Sequence, residues 1–209
     1  MNQHTMPRKN PITSFTSKFV LAAAALALSA CDTAPAQQIE PPLAGASIGG
    51  DFELTGANGE QVSWDDFEGQ YRIVYFGFTF CPDICPTDVQ RMSQGLMQFE
   101  QSAPELGAKI TPIFVSVDPE RDTPEIVGEF ASNFHPRLVG LTGTPEQIKD
   151  AASKFAVFYS RGEDTPGGGY LVDHSAVVYL FSPEGDPLAT LPTDQGPEAV
   201  AAELAKWVS

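Results

Sequence analysis

The sequence predicts an α/β fold, a three-layer sandwich around a mixed central sheet with a β-hairpin at its amino-terminal end. Strand-like runs alternate with amphipathic helical runs, the order that packs helices against a sheet. One of those runs, Tyr71 to Phe78, is apolar or aromatic at nearly every position, the mark of a strand buried on both faces. A cysteine pair, Cys81 and Cys85, stands where that strand gives way to a helix.

Before the domain lies a targeting segment. The chain has 209 residues, and in the first 30 or so Arg8, Lys9 and Lys18, with no acidic residue, precede an apolar run from Phe19 to Ala30, the layout of a secretory signal. That run is about a dozen residues, short of the ~20 that cross a bilayer as a helix. It ends in Leu28-Ser29-Ala30-Cys31, which resembles the lipobox of bacterial lipoproteins. The resemblance implies cleavage before Cys31 and a lipid anchor on that cysteine. With Asp32 behind it, the expected place is the periplasmic face of a bacterial inner membrane. An uncleaved signal anchor and an ordinary cleaved signal with an incidental cysteine are the alternatives, and each still exports the domain. Residues 31–49, rich in Ala, Pro, Gln and Gly and without an apolar period, are expected to be a flexible tether. Residues 50–209 are then one domain with a sizeable core.

Within the domain, Phe52-Glu53-Leu54-Thr55 and Gln61-Val62-Ser63-Trp64 flank a segment holding Asn58-Gly59, which predicts a β-hairpin. After the buried strand and the cysteine pair, Val89, Met92, Leu96 and Phe99 recur at helical spacing from Pro86 to about Gln101. Ile110 to Val117 reads as a second core strand. Thr123-Pro124 opens a helix to about Asn133, with hydroxyl at N-cap and proline at N1. A short strand, Leu138 to Leu141, leads to the capping-box spacing of Thr144-Pro145-Glu146-Gln147 and a helix to about Phe155. Gly162 to Gly169 is expected to form a loop, followed by strands at Ser175 to Phe181 and Leu188 to Leu191 and a closing helix from Pro197 to Val208. This order, with a cysteine pair at a strand-to-helix junction, is the thioredoxin-like arrangement.

Composition narrows the function. The net charge is −15, and loss of the three basic residues of the leader takes it to −18. Such a surface repels nucleic-acid phosphates and anionic headgroups, so nucleic acid is not expected as a partner. Acidity serves chiefly to keep the domain soluble and secondarily to favour a cationic partner or a metal ion. With Cys31 acylated, only Cys81 and Cys85 remain as thiols, too close together to be a general disulfide framework. In Cys81-Pro82-Asp83-Ile84-Cys85 the sulfurs are four apart and share one face of a helical segment. The helix start behind them favours thiolate, the form that binds soft metals and attacks disulfides. Two thiolates and an imidazole suit copper, and can also suit zinc. His4 lies in the leader, leaving His135, at a helix end where solvation or carbonyl capping is the default, and His174, beside Asp173 at the mouth of a strand. Asp173 could orient the His174 ring or face solvent.

Longer motifs carry a family resemblance. Tyr75-Phe76-Gly77-Phe78-Thr79-Phe80-Cys81-Pro82-Asp83-Ile84-Cys85-Pro86-Thr87, Val115-Ser116-Val117-Asp118-Pro119-Glu120-Arg121-Asp122-Thr123-Pro124, His135-Pro136-Arg137-Leu138-Val139-Gly140-Leu141-Thr142-Gly143 and Tyr170-Leu171-Val172-Asp173-His174-Ser175-Ala176 resemble the Sco/SenC family, in order, from about Gly50 to Leu191. The resemblance implies a thioredoxin-like fold and one copper ion, Cu(I) or Cu(II), held by Cys81, Cys85 and His174. It implies a metallochaperone, with Cys81 and Cys85 also a redox-active pair, serving the binuclear copper centre in the copper-bearing subunit of cytochrome c oxidase. Many family members carry a transmembrane helix where this chain has a lipobox-like end. The competing reading is a periplasmic thiol-disulfide oxidoreductase or redox sensor without copper delivery; three residues between the cysteines, where such enzymes usually have two, weigh against it. Asp118, Arg121 and Asp122 are expected to be structural or partner-facing.

Overall fold

The computed structural model describes residues 39–165 and 168–209. The expected signal, Cys31 and the first part of the expected tether, through residue 38, lie outside these residues. Seven strands form one sheet in the order β2-β1-β5-β4-β3-β8-β9: β1 (Glu53–Gly56), β2 (Gln61–Ser63), β3 (Tyr71–Gly77), β4 (Ile110–Ser116), β5 (Val139–Thr142), β8 (Val178–Phe181) and β9 (Pro187–Thr190). β3, β4 and β5 run parallel, whereas β8 lies antiparallel to β3 and β1 antiparallel to β5, so the sheet is mixed. Every residue of β3 and β4 is buried, as the apolar run of β3 requires.

The helices are α1 (Ile84–Ser102), α2 (Pro104–Gly107), α3 (Pro124–Ser132), α4 (Pro145–Lys154) and α5 (Pro197–Trp207). Aromatic contacts show which face each covers. Tyr75 of β3 lies 6.4 Å from Phe114 of β4, which lies 4.8 Å from Phe130 of α3. Tyr75 shares a face with Gly77, against which the Cys85 sulfur of α1 rests. Alternate residues point the other way: Phe76 meets Phe155 at the end of α4, in a cluster with Trp64, Phe52 and Phe181. The sheet is thus sandwiched between α1, α3 and α5 on one face and α4 on the other.

Local signals act as expected at several places. Gly59, φ +80°, takes the left-handed turn position of the β1–β2 hairpin. Thr144 and Gln147 form a reciprocal capping box on α4, and the Thr123 hydroxyl accepts from Ile126 N–H on α3.

Three differences bear on the site. The expected loop, Gly162 to Gly169, is flanked by a second, two-stranded sheet that takes in its first three residues: β6 (Tyr159–Asp164) pairs with β7 (Tyr170–His174), and neither pairs with a strand of the main sheet. His174 therefore closes β7, and β8 starts only at Val178. Arg161, Glu163 and Asp164 face solvent on this ribbon, so it lacks the apolar alternation that betrays a strand. Second, α1 begins two residues earlier than its apolar pattern indicates and takes in Cys85. Third, residues 40–49, read from composition as tether, lie against the domain: Leu43 N–H donates to Leu188 C=O and Gly49 N–H to Lys154 C=O, and Leu43 and Ile48 pack on the core. Among the described residues no helix is long and apolar enough to cross a membrane.

Candidate metal centre

The carboxyl end of β3 runs into a loop, Phe78 to Asp83, and then into α1. No side chain caps α1 at Asp83; instead Cys85 N–H donates to Cys81 Sγ at 3.3 Å, so a sulfur fills the capping role. Asp122 holds the loop from below. Its carboxylate accepts from Thr79 N–H (2.9 Å), Thr79 Oγ1 (2.5 Å) and Ser116 Oγ (2.5 Å), tying the approach to Cys81 to the end of β4. Burial pushes the Asp122 carboxyl up, against the pull of the Ser116 and Thr79 hydrogen bonds.

Cys85 is fully buried, and Cys81 is half-buried; both are free thiols. The buried sulfur fits only because residue 77 is glycine. A Cβ there would stand 3.2 Å from Cys85 Sγ, 3.1 Å from Phe114 and 2.9 Å from Tyr75. Beneath Cys85, the Tyr75 hydroxyl bonds to the buried Asp88 carboxylate at 3.3 Å.

His174 reaches the pair from the end of β7. Its Nδ1 lies 3.1 Å from the Ser175 carbonyl, which can only accept, so Nδ1 carries the proton and Nε2 holds a bare lone pair. Nε2 lies 3.0 Å from Cys85 Sγ, where it accepts from the thiol. Tyr75 and Phe78 stand edge-on to the ring at 6.1 and 5.8 Å. One ligand atom from each of Cys81, Cys85 and His174 lies within 4.8 Å of the others, the one such group of three or more among the described residues.

Burial decides the protonation of the pair's inner half. It pushes the Cys85 thiol up, with the Cys81 hydrogen bond adding, and pulls His174 down, so a thiol faces a neutral imidazole. For Cys85 burial therefore outweighs the helix start that was expected to favour thiolate, and the Cys85 N–H is directed to Cys81 Sγ. Of the two roles open to Asp173 it takes the second and faces solvent, and the acceptor that orients the His174 ring is the Ser175 carbonyl. His135 is buried rather than solvated: Nδ1 accepts from Arg137 N–H at 3.1 Å and Nε2 lies 3.4 Å from Glu100.

A family model described as SCO1/SenC matches residues 40–209. The chain belongs to the SCO1/SenC family. It is 45% identical over 146 residues to the mitochondrial SCO1 homolog 1 of Arabidopsis thaliana, across 69% of this chain and 42% of that protein. It is 39% identical over 170 residues to an SCO2-like protein of Rickettsia felis, across 77% and 81%. The matched segment spans less than half the length of the Arabidopsis relative and of yeast SCO2. Arabidopsis ScoI, solved with copper bound, aligns with a TM-score of 0.71 at 39% identity over 76% of this chain and 96% of that one. Copper-bound ScoI of Bradyrhizobium japonicum aligns with a TM-score of 0.68 at 35% identity over 77% and 99%. The fold is the thioredoxin-like one expected.

The SCO1/SenC scaffold supplies residues that local sequence patterns did not single out for the site: Tyr75, Asp88, Thr79 and Ser175. Their signals are weak because each acts through a long-range or main-chain contact. The buried Asp118 and Asp122 and the half-buried Arg121 form a brace behind the site: Arg121 Nε donates to Asp118 Oδ2 at 2.5 Å, and Asp118 N–H to Ser116 Oγ at 3.0 Å.

Proposed function

We propose that the chain is a copper metallochaperone in which Cys81, Cys85 and His174 hold one copper ion and pass it to a copper-accepting protein, the copper-bearing subunit of cytochrome c oxidase. The observation that carries this is the convergence of two free thiols and a correctly tautomerised imidazole within 4.8 Å. Two donors about 2.3 Å from one ion at a trigonal angle are roughly 4 Å apart, so copper fits once the 3.0 Å Cys85–His174 contact opens slightly. Soft sulfur with imidazole is the donor set copper prefers, and copper-bound relatives supply the choice over zinc. Cytochrome c oxidase as the destination rests on the family resemblance.

An apolar rim fits hand-off to a docked protein. Phe80, Ile84 and Phe158 are among the few exposed large hydrophobics, and each adjoins a different ligand: Phe80 precedes Cys81, Ile84 precedes Cys85, and Phe158 is hydrogen-bonded to Ser175, beside His174. Residues 1–30 as a cleaved signal, and Cys31 as a lipid anchor at the periplasmic face of the inner membrane, belong to the same proposal on the strength of the lipobox-like run. The 50–209 domain, extended by the docked residues 40–49, would then work close to the bilayer.

The half-buried Cys81 thiol, the more accessible of the pair, favours a second activity at the same site. As thiolate it would attack a partner disulfide, and Cys85 would resolve the mixed disulfide, leaving a Cys81–Cys85 disulfide and a reduced partner dithiol. Titration of the reduced protein with Cu(I) and Cu(II), beside Cys81→Ser, Cys85→Ser and His174→Ala, decides between the roles. One copper per chain, lost or sharply weakened in all three variants, is the expected result. No binding by the reduced wild type would leave only the reductant, whose activity His174→Ala should largely spare.

A further inference from the structure

The hairpin that brings His174 to the cysteines is held by something other than sheet hydrogen bonds, since β6 and β7 pair only with each other. Its far end is clamped through Tyr170, four residues before His174. The Tyr170 ring lies between two guanidinium groups, Arg121 Cζ at 3.7 Å and Arg161 Cζ at 3.8 Å. Two groups that close to one ring must occupy opposite faces, so the tyrosine is sandwiched. Its hydroxyl donates to Asp118 Oδ1 at 2.6 Å, with Glu120 Oε2 at 3.3 Å, and its carbonyl accepts from Arg121 Nη1 at 2.8 Å. Arg121 in turn lies 5.2 Å from the ring of Phe80, the residue before Cys81. One arginine therefore touches both the loop that presents the cysteines and the hairpin that presents the histidine.

We propose that Arg121 and Tyr170 are positioning residues that set the reach of His174: while the clamp holds, the imidazole stands over Cys85, and when it opens the hairpin withdraws the third ligand and leaves copper on the sulfur pair. This rests on the reading of His174 as a copper ligand. It gives hand-off a defined first step, loss of the imidazole, at a place a docking partner can reach, because Glu120 and Arg161 are exposed. The sulfurs are untouched by the clamp and keep hold of the ion until the acceptor's ligands arrive.

The test uses the full chain with Tyr170→Ala, which removes ring and hydroxyl, Tyr170→Phe, which keeps the stack and loses the hydroxyl bonds, His174→Ala, and the double variant Tyr170→Ala with His174→Ala. Loss of an outer partner that fixes a metal-binding histidine typically costs about tenfold to a hundredfold in affinity. Cu(I) competition titrations should place Tyr170→Ala in that range, Tyr170→Phe between it and wild type, and the double variant level with His174→Ala. Imidazole nitrogen splitting in the Cu(II) resonance spectrum should vanish in Tyr170→Ala while sulfur-to-copper absorption persists. Losses that add in the double variant, or wild-type affinity in Tyr170→Ala, would overturn the proposal. A metal-free readout separates it from the copper reading. The His174 ring protons, shifted by Tyr75 and Phe78, should move toward random-coil positions in Tyr170→Ala; unmoved signals would refute the clamp even if copper binding itself stands.

Discussion

Asp122 offers the sharpest test of how the cysteine loop is held. Asp122→Asn keeps the shape of the side chain and removes its charge. Three bonds then fall from charge-assisted to neutral strength, and one oxygen becomes a donor facing donors. Charged hydrogen bonds contribute about 1.5–3 kcal/mol each and neutral ones about half that, so after relief of the carboxylate's desolvation the net loss is about 2 kcal/mol at neutral pH. For a domain of this size 1 kcal/mol moves Tm by about 2–4 °C, giving a fall of roughly 4–8 °C. The pH dependence has a definite sign. The folded carboxyl titrates above its unfolded value, so its contribution is complete below the unfolded pKa and is lost as pH rises through the folded one. Wild type should therefore exceed the variant most on the acid side, and the gap should narrow as pH rises. Urea titrations with an unchanged slope, repeated across pH, measure this. A Tm shift under about 1 °C, or a gap that widens with pH, would show that the hydroxyl and amide donors outweigh burial and refute the argument.

Gly77→Ala drives a methyl into Tyr75, Phe114 and the Cys85 sulfur, so stability should fall by about 1–3 kcal/mol and copper affinity should fall with it; wild-type melting and binding together would sink this account. Copper uptake through both sulfurs should release the Cys85 proton at neutral pH together with the proton of the Cys81 thiol, raising apparent affinity at least about tenfold per pH unit, with none from the already neutral His174. Calorimetry in two buffers of different ionisation heat counts those protons, and a count of zero means the thiolates are already formed. Phe80→Ser with Phe158→Ser should leave copper stoichiometry unchanged and slow transfer to a copper-accepting domain about tenfold, since buried aromatics dominate interface energy; unchanged transfer kinetics would place docking elsewhere.

What was legible in the sequence follows from what is local. The β1–β2 turn declares itself in Asn58-Gly59, the buried strand in its run of apolar residues, and the caps of α3 and α4 in Thr123 and Thr144. The β6–β7 ribbon does not, because half its residues are charged or glycine and its stability comes from Tyr170 and the buried Val172. The burial of His135, expected to be solvated or to cap a carbonyl, is hidden for a related reason: its Nδ1 accepts from the local Arg137 N–H, but its Nε2 meets Glu100 only when the end of α1 comes beside it in the fold. Burial works against the thiolate expected at Cys85; a helix dipole is visible in sequence order, whereas the burial depends on Gly77 leaving room beside the sulfur in the folded sheet.

Chain order gives the site a timetable. Cys85 and His174 are separated by 89 positions, and β8, which follows the histidine, enters the sheet beside β3 only after β4 and β5 have had the chance to pair. A partly synthesised chain thus displays two bare thiols with no imidazole, open to oxidation or to the wrong metal. Only the finished fold closes the triangle, so three-ligand copper capture reports that folding is complete, and every captured ion further stabilises the native state by mass action.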